Sequence, residues 1–201
     1  MTLPYTPPTG TPAEVDTLAP SGIIAISTSG PWVRDNQVTG GTYGIYCKSY
    51  AAEVSGNDVT GSHTGIYARA MSCSLGWNTV TDCVGDGIHL DESPDTLGGL
   101  AVYRISGSTI ADNGGAGVRA NGYTLLESGA GRAGNTITGN GDYDLLVETM
   151  ASVVETLPAG GNYWDHATVE DVNEYDVWDG KDDPSLTTVV LSPLGGGGGA
   201  W

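Results

Sequence analysis

The side chains best able to do chemistry in this sequence fall at matched points of a recurring phrase. Gly44-Ile-Tyr-Cys-Lys, Gly65-Ile-Tyr-Ala-Arg, Gly87-Ile-His-Leu-Asp, Gly117-Val-Arg-Ala-Asn and Asp144-Leu-Leu-Val-Glu follow one another, with Ile24-Ala-Ile as a shorter forerunner. The apolar residues in each alternate with a period of two, so each phrase is expected to be a strand with one side in a core and the other outward. Fixing Ile45, Ile66, Ile88, Val118 and Leu145 as inward leaves two outward files. One is Ala25, Tyr46, Tyr67, His89, Arg119 and Leu146; the other is Ser27, Lys48, Arg69, Asp91, Asn121 and Glu148. Tyr46 and Tyr67 could stack on sugar rings, and Lys48, Arg69 and Arg119 could pair with uronate or sulfate. With His89, Asp91 and Asn121 they make a candidate saccharide-binding face. The plainer reading is a solvated sheet whose cross-strand pairs serve stability alone.

These files exist only if successive phrases stack. A second phrase keeps step with the first: Asn36-Gln-Val, Asn57-Asp-Val, Asn78-Thr-Val, Ser108-Thr-Ile, Asn135-Thr-Ile and Asn162-Tyr-Trp, at spacings of 21, 21, 30, 27 and 27 residues. Each repeat is too short for a helical hairpin, and Gly, Asn, Ser and Asp between strands supply tight corners. The expectation is an all-β parallel solenoid of about six coils, rising by ~4.8 Å per coil. A column of Asn at one corner would bond to backbone and to the amide above, which is a structural role rather than a metal ladder. The length differences are expected to leave from one edge, after the outward files, as 91–99, 121–134 and 148–161. There they could wall a groove.

Composition narrows the partners. The 201 residues hold 7 Lys and Arg against 24 Asp and Glu, a net charge of −17, which argues against nucleic acid. No apolar run is long enough to insert in a membrane. Such acidity also suits a high-salt setting. The first twenty residues carry five of the ten prolines, lack a secretory signal, and read as an extended arm. Three cysteines, Cys47, Cys73 and Cys83, form no CxxC pair and are expected to be buried free thiols. The five tryptophans, Trp32, Trp77, Trp164, Trp178 and Trp201, are expected in the core or a cap. Asp86, Asp91, Glu92 and Asp95 offer hard oxygen ligands for Ca2+ if any cofactor is present; otherwise none is expected. Asp179-Gly-Lys-Asp-Asp183 lacks the spacing of an EF-hand loop.

The paired phrases and the ending Gly161-Asn-Tyr-Trp-Asp resemble the right-handed parallel β-helix superfamily, in its degenerate group of pectate-lyase-like and NosD-type proteins. The resemblance covers about residues 21–165, after an arm at 1–20 and before a C-terminal cap and Gly-rich tail at 166–201. Within the cap, Thr168-Val-Glu-Asp171 reads as a capping box before a short helix. The resemblance implies an extracellular, cell-surface or virion-surface location. It also implies that, in an enzyme, Lys48 would take the proton beside a uronate carboxylate, with Arg69 or Tyr67 neutralising charge or protonating the leaving oxygen and His89 as a second base. A polysaccharide lyase or epimerase is therefore one rival. No family-specific catalytic phrase supports it, no close carboxylate trio suggests a hydrolase, and scattered His and Met make no copper site. A structural virion or filament subunit is the other rival, its arm and the Gly195–Gly199 run mediating self-assembly or attachment.

Overall fold

The computed structural model describes residues 2–3, 20–91, 101–126, 133–149 and 155–191. The chain winds as an all-β parallel solenoid of six coils, each with up to three strand faces. Face one stacks Ser21–Ser27, the first parts of Tyr43–Ser55 and Thr64–Gly76, then Ile88–Asp91, Val118–Ala120, Leu145–Val147 and Val177–Trp178. Face two stacks Trp32–Arg34, the second halves of those two long strands, Val102–Ser106 and Tyr123–Leu126. Face three is a sheet of short strands, Gln37–Gly40, Asp58–Thr60, Thr79–Thr81, Thr109–Ala111 and Thr136–Thr138, with Thr2–Leu3 at its edge. Every strand pairing among the described residues is parallel, as one-directional winding requires.

Alternation makes the core. Ile45, Ile66, Ile88, Val118, Leu145 and Val177 form one inward column. Val54, Leu75, Ile105 and Leu126 form a second, and Val38, Val59, Val80, Ile110 and Ile137 a third; all are at most 6% exposed. Burying each such side chain contributes about 1.5–3 kcal/mol. At the turn into face one, Gly44, Gly65, Gly87 and Gly117 bring each coil hard against its neighbour. A Cβ on Gly87 would sit 2.8 Å from Gly117 O and from Ile110 Cγ2.

The corners carry the polar load. Asn36, Asn57, Asn78, Ser108, Asn135 and Asn162 form the expected column. Asn57 Nδ2 donates to Asn78 Oδ1 at 3.0 Å and to Val33 O at 2.9 Å, and Asn135 repeats this with Asn162 and Ile105. Where Ser108 interrupts the column, one bond remains on each side, Asn78 N–H to Ser108 Oγ and Ser108 N–H to Asn135 Oδ1. A second amide column, absent from the sequence reading, runs along the next corner through Cys83, Asn113 and Asn140. Asp35, Trp77, Asp82 and Asp112 precede these column residues with φ of 55–58°, so a left-handed residue sets the sharp corner.

The winding ends in a cap. Thr168 accepts from Asp171 N–H, opening the short helix Val169–Asp171 as the capping-box reading predicts, and a single π-type turn, Val172–Asp176, follows. Val177–Trp178 then pairs with Leu145–Leu146 and closes face one, while Thr188–Val190 pairs with Thr156–Pro158. Two expectations are corrected here. The extra length of coil five falls after Leu126, on the far side of a face-two strand, because Ala120 and Tyr123 stay in register with Leu90 and Val102. Inserted residues therefore leave from more than one corner. Trp32 and Trp77 lie on the surface, 72% and 64% exposed, with Arg34 over the Trp32 ring at 4.2 Å; Trp164 is buried as expected. Residues 4–19 of the Pro-rich arm, the Gly195–Gly199 run and Trp201 lie outside the described residues.

Candidate functional site

Face one does align its outward residues in files. Tyr46, Tyr67, His89, Arg119, Leu146 and Trp178 are in register, and Lys48, Arg69 and Asp91 stand in the parallel row. The first coil is displaced by one residue from the expectation: Ile24 and Ile26, not Ala25 and Ser27, pair with Tyr46 and Lys48. Ile23-Ile24-Ala25-Ile26 is apolar on both alternations. The register instead places Ile23 and Ala25 against the core and leaves Ile24 and Ile26 more than half exposed.

The aromatic file is not a free sugar platform. Tyr46 and Tyr67 are 2% and 8% exposed, stacked at 5.3 Å with planes 5° apart. Tyr43 lies against both rings, and His89 covers the far side of Tyr67 at 5.2 Å. The short interval between adjacent strands makes neighbouring rings cover one another, so alignment itself consumes the faces a sugar would need. Tyr67 Oη donates to Asp91 at 2.7 Å, and Asn121 Nδ2 lies 3.5 Å from the other Asp91 oxygen.

The cationic end of the file is similarly engaged. Arg119 Nε donates to Asp86 at 2.7 Å, its Nη1 donates to Glu148 at 2.8 Å, and His89 Nδ1 is 3.4 Å from Asp86. Arg119 is thus a bridge between two carboxylates rather than an anion receptor. Burial opposes ionisation of Asp86, but bonds from His89, Arg119 and the Ala116 N–H outweigh it and hold its carboxyl at about 2. Its oxygens are engaged by these bonds, and Asp91 accepts from Tyr67; Glu92 and Asp95, the other half of the expected calcium-ligand group, lie outside the described residues. A depressed carboxyl stabilises the fold above its unfolded value near 3.8, and that contribution disappears as pH falls toward 2. Acid unfolding of Asp86→Asn should therefore start from a stability lower by about 2 kcal/mol at pH 6 and show a shallower decline between pH 4 and 2. Parallel acid slopes for the two proteins would remove this carboxylate from the account.

An open concavity lies one corner away. Ile26, Ser27, Thr28, Lys48, Ser49, Tyr50 and Met71 line a groove of about 690 Å3 where face one turns into face two across the first three coils. Of the expected ligand-binding residues only Lys48 lines it. Tyr50 is 65% exposed. Tyr50 and Met71 were missed because they sit where the long strands Tyr43–Ser55 and Thr64–Gly76 pass from face one to face two, and there alternation no longer says which way a side chain points. Lys48 and Arg69 are in register on adjacent coils, as the lyase rival requires. Cys47, Cys73 and Cys83 are buried free thiols, as expected. Among the described residues no helix is long and apolar enough to cross a membrane.

A parallel β-solenoid with a short helical cap and a groove at one corner of its first coils is thus the class of protein these features define. Residues 9–170 match the family described as "Protein of unknown function (DUF1565)", a family associated with parallel β-helix proteins, and the chain belongs to it. No curated protein and no solved structure matches it.

Proposed function

We propose that this chain is a saccharide-binding module of a surface or extracellular assembly, and that the corner groove beside Lys48 holds the glycan. The groove carries the reading. Its volume of about 690 Å3 is that of an oligosaccharide-sized site, and its walls combine an exposed Tyr50 ring, apolar Ile26 and Met71, and the hydroxyls of Ser27, Thr28 and Ser49. A pyranose presents an apolar face and a polar rim, which is the pattern those walls complement. Lys48 adds a cation in a protein of net charge −17, so glycans with carboxylate or sulfate groups are favoured over neutral ones. This moves the recognition surface from the Tyr46–Tyr67 stack to the neighbouring corner.

A glycan array probed with the intact protein tests the reading. Uronate-containing or sulfated chains should be retained, with about tenfold or greater loss in Lys48→Ala/Tyr50→Ala and little change in Arg119→Ala. Retention that survives the double substitution would locate binding elsewhere. Lys48 and Arg69 standing in register favour one second reading, a polysaccharide lyase. Growth of the ultraviolet absorbance of an unsaturated uronate during incubation with alginate or pectate would establish it. An empty array together with filaments in electron micrographs would favour a structural subunit.

A further inference from the structure

Three carboxylates meet where the last coil joins the cap. Asp144 immediately precedes the strand Leu145–Val147, and Asp176 immediately precedes Val177–Trp178. Pairing of Leu145 with Val177 therefore sets Asp144 beside Asp176 on neighbouring strands. Asp165, after the last amide corner, completes the group: one carboxylate oxygen from each lies within 4.8 Å of one from each of the others. Like charges on adjacent strands repel, and two of these are almost sealed from water, Asp144 at 3% and Asp176 at 4% exposure.

The hydrogen bonds do not account for all of this charge. Asp176 is bonded by the ring and backbone N–H of His166, with Nδ1 at 2.6 Å from Oδ1. Asp165 Oδ2 accepts from Gly139 N–H at 2.7 Å, and Asp144 Oδ1 accepts from Asn140 Nδ2 at 2.7 Å. Asp144 Oδ2, by contrast, is buried without a hydrogen-bond partner. A buried carboxylate oxygen left bare in a group of three acids is incomplete. Burial, together with the charges of Asp165 and Asp176, pushes the Asp144 carboxyl up to about 7, so a proton is the competing occupant. The other acidic turn of the cap has no such gap: Asp179 accepts from Lys181 N–H, Lys181 Nζ and Val189 N–H.

We propose that Asp144, Asp165 and Asp176 bind a calcium ion that fastens the cap to the last coil. Calcium takes six to eight oxygens at about 2.3–2.6 Å, so oxygens on opposite sides of one ion stand about 4.8 Å apart, as far as these carboxylates reach. The three acids supply the charge, and water enters past Asp165, which is exposed, to fill the remaining positions. The site is separate from the groove, and its test does not depend on any glycan.

The intact chain, freed of divalent ions by chelation, is titrated with Ca2+ by calorimetry and with Tb3+ by luminescence. Trp164 and Trp178 flank the site in sequence and serve as sensitisers. Expected are a saturable Tb3+ signal displaced by Ca2+, and a rise in unfolding temperature with Ca2+ that Mg2+ reproduces poorly. Asp144→Asn keeps the shape of a protonated acid; it should fold, lose the Ca2+-dependent rise and bind about tenfold or more weakly. Asp165→Asn, at an exposed position, should weaken binding likewise and serves if the first variant does not fold. Asp58→Asn, on the outer side of face three, should bind as the parent does. No saturable binding, or equal binding in Asp144→Asn, Asp165→Asn and Asp58→Asn, overturns the site and leaves the proton as occupant.

Discussion

Asn135→Ala is expected to unfold at a markedly lower urea concentration than the parent, with a loss of about 3–5 kcal/mol. Asn135 is wholly buried, and its side chain serves three partners. Its Oδ1 accepts from Ser108 N–H at 3.0 Å, and its Nδ2 donates to Ile105 O at 3.0 Å and Asn162 Oδ1 at 2.9 Å. Truncation leaves a buried donor and a buried acceptor unpaired, and no side chain nearby is positioned to replace them. Each unpaired group costs about 1–3 kcal/mol, against a total stability of about 5–15 kcal/mol for a typical domain. Asn36→Ala is the internal comparison. Asn36 starts the same column but is half-exposed, so water takes over its bonds and the loss should be about 1 kcal/mol. Urea curves followed by circular dichroism decide the matter. Equal midpoints for the two variants would show that the amide column contributes no more inside the stack than at its end.

Gly65→Ala should be as damaging for a different reason. A Cβ at residue 65 would lie 2.5 Å from Gly87 O and closer still to Val80 Cγ1. The oxygen is backbone, and it accepts from Ile66 N–H at 2.9 Å, so it cannot withdraw without breaking the parallel ladder. Overpacking of this kind costs about 1–3 kcal/mol, and the strained ladder bond raises the expected loss to about 3 kcal/mol or more. Gly61→Ala separates crowding from torsion. Gly61 has φ of +64° but nothing within 4 Å of the added methyl group, so only the backbone penalty of about 1 kcal/mol remains. If Gly61→Ala loses as much as Gly65→Ala in thermal unfolding, close coil contact is not what the glycine column provides.

The coil stack was legible because two phrases recur in step, and Ile45, Ile66 and Ile88 repeat the same inward choice. The Asn column was legible for the same reason. Its companion was not, since Asn113 and Asn140 are preceded along that corner by Cys83, which carries no amide. The first coil slipped by one residue because Ile23 to Ile26 offers apolar side chains on both faces. Alternation correctly sent Tyr46 and Tyr67 outward, yet direction is not exposure, and their stacking with Tyr43 and His89 covers them. Pairing cannot be read from charge either: Arg119 looked like a receptor for anions until Asp86, 33 residues away, closed on it. The carboxylate trio was beyond sequence reading because the cap must fold back before Asp176 stands beside Asp144.

The two amide columns also have a common thin place. Between the third and fourth coils the first column is reduced to Asn78 N–H on Ser108 Oγ, and the second to Cys83 N–H on Asn113 Oδ1. Where Asn stands above Asn, two bonds cross the step, as at Asn57–Asn78 and Asn113–Asn140, while Ser108–Asn135 again has one. Bonds of another kind cross the step between the third and fourth coils: Tyr67 Oη donates to Asp91, and Ala70 N–H donates to Tyr103 Oη. The corner groove lies on the first three coils and the cap follows the last, so the two stand on opposite sides of this step.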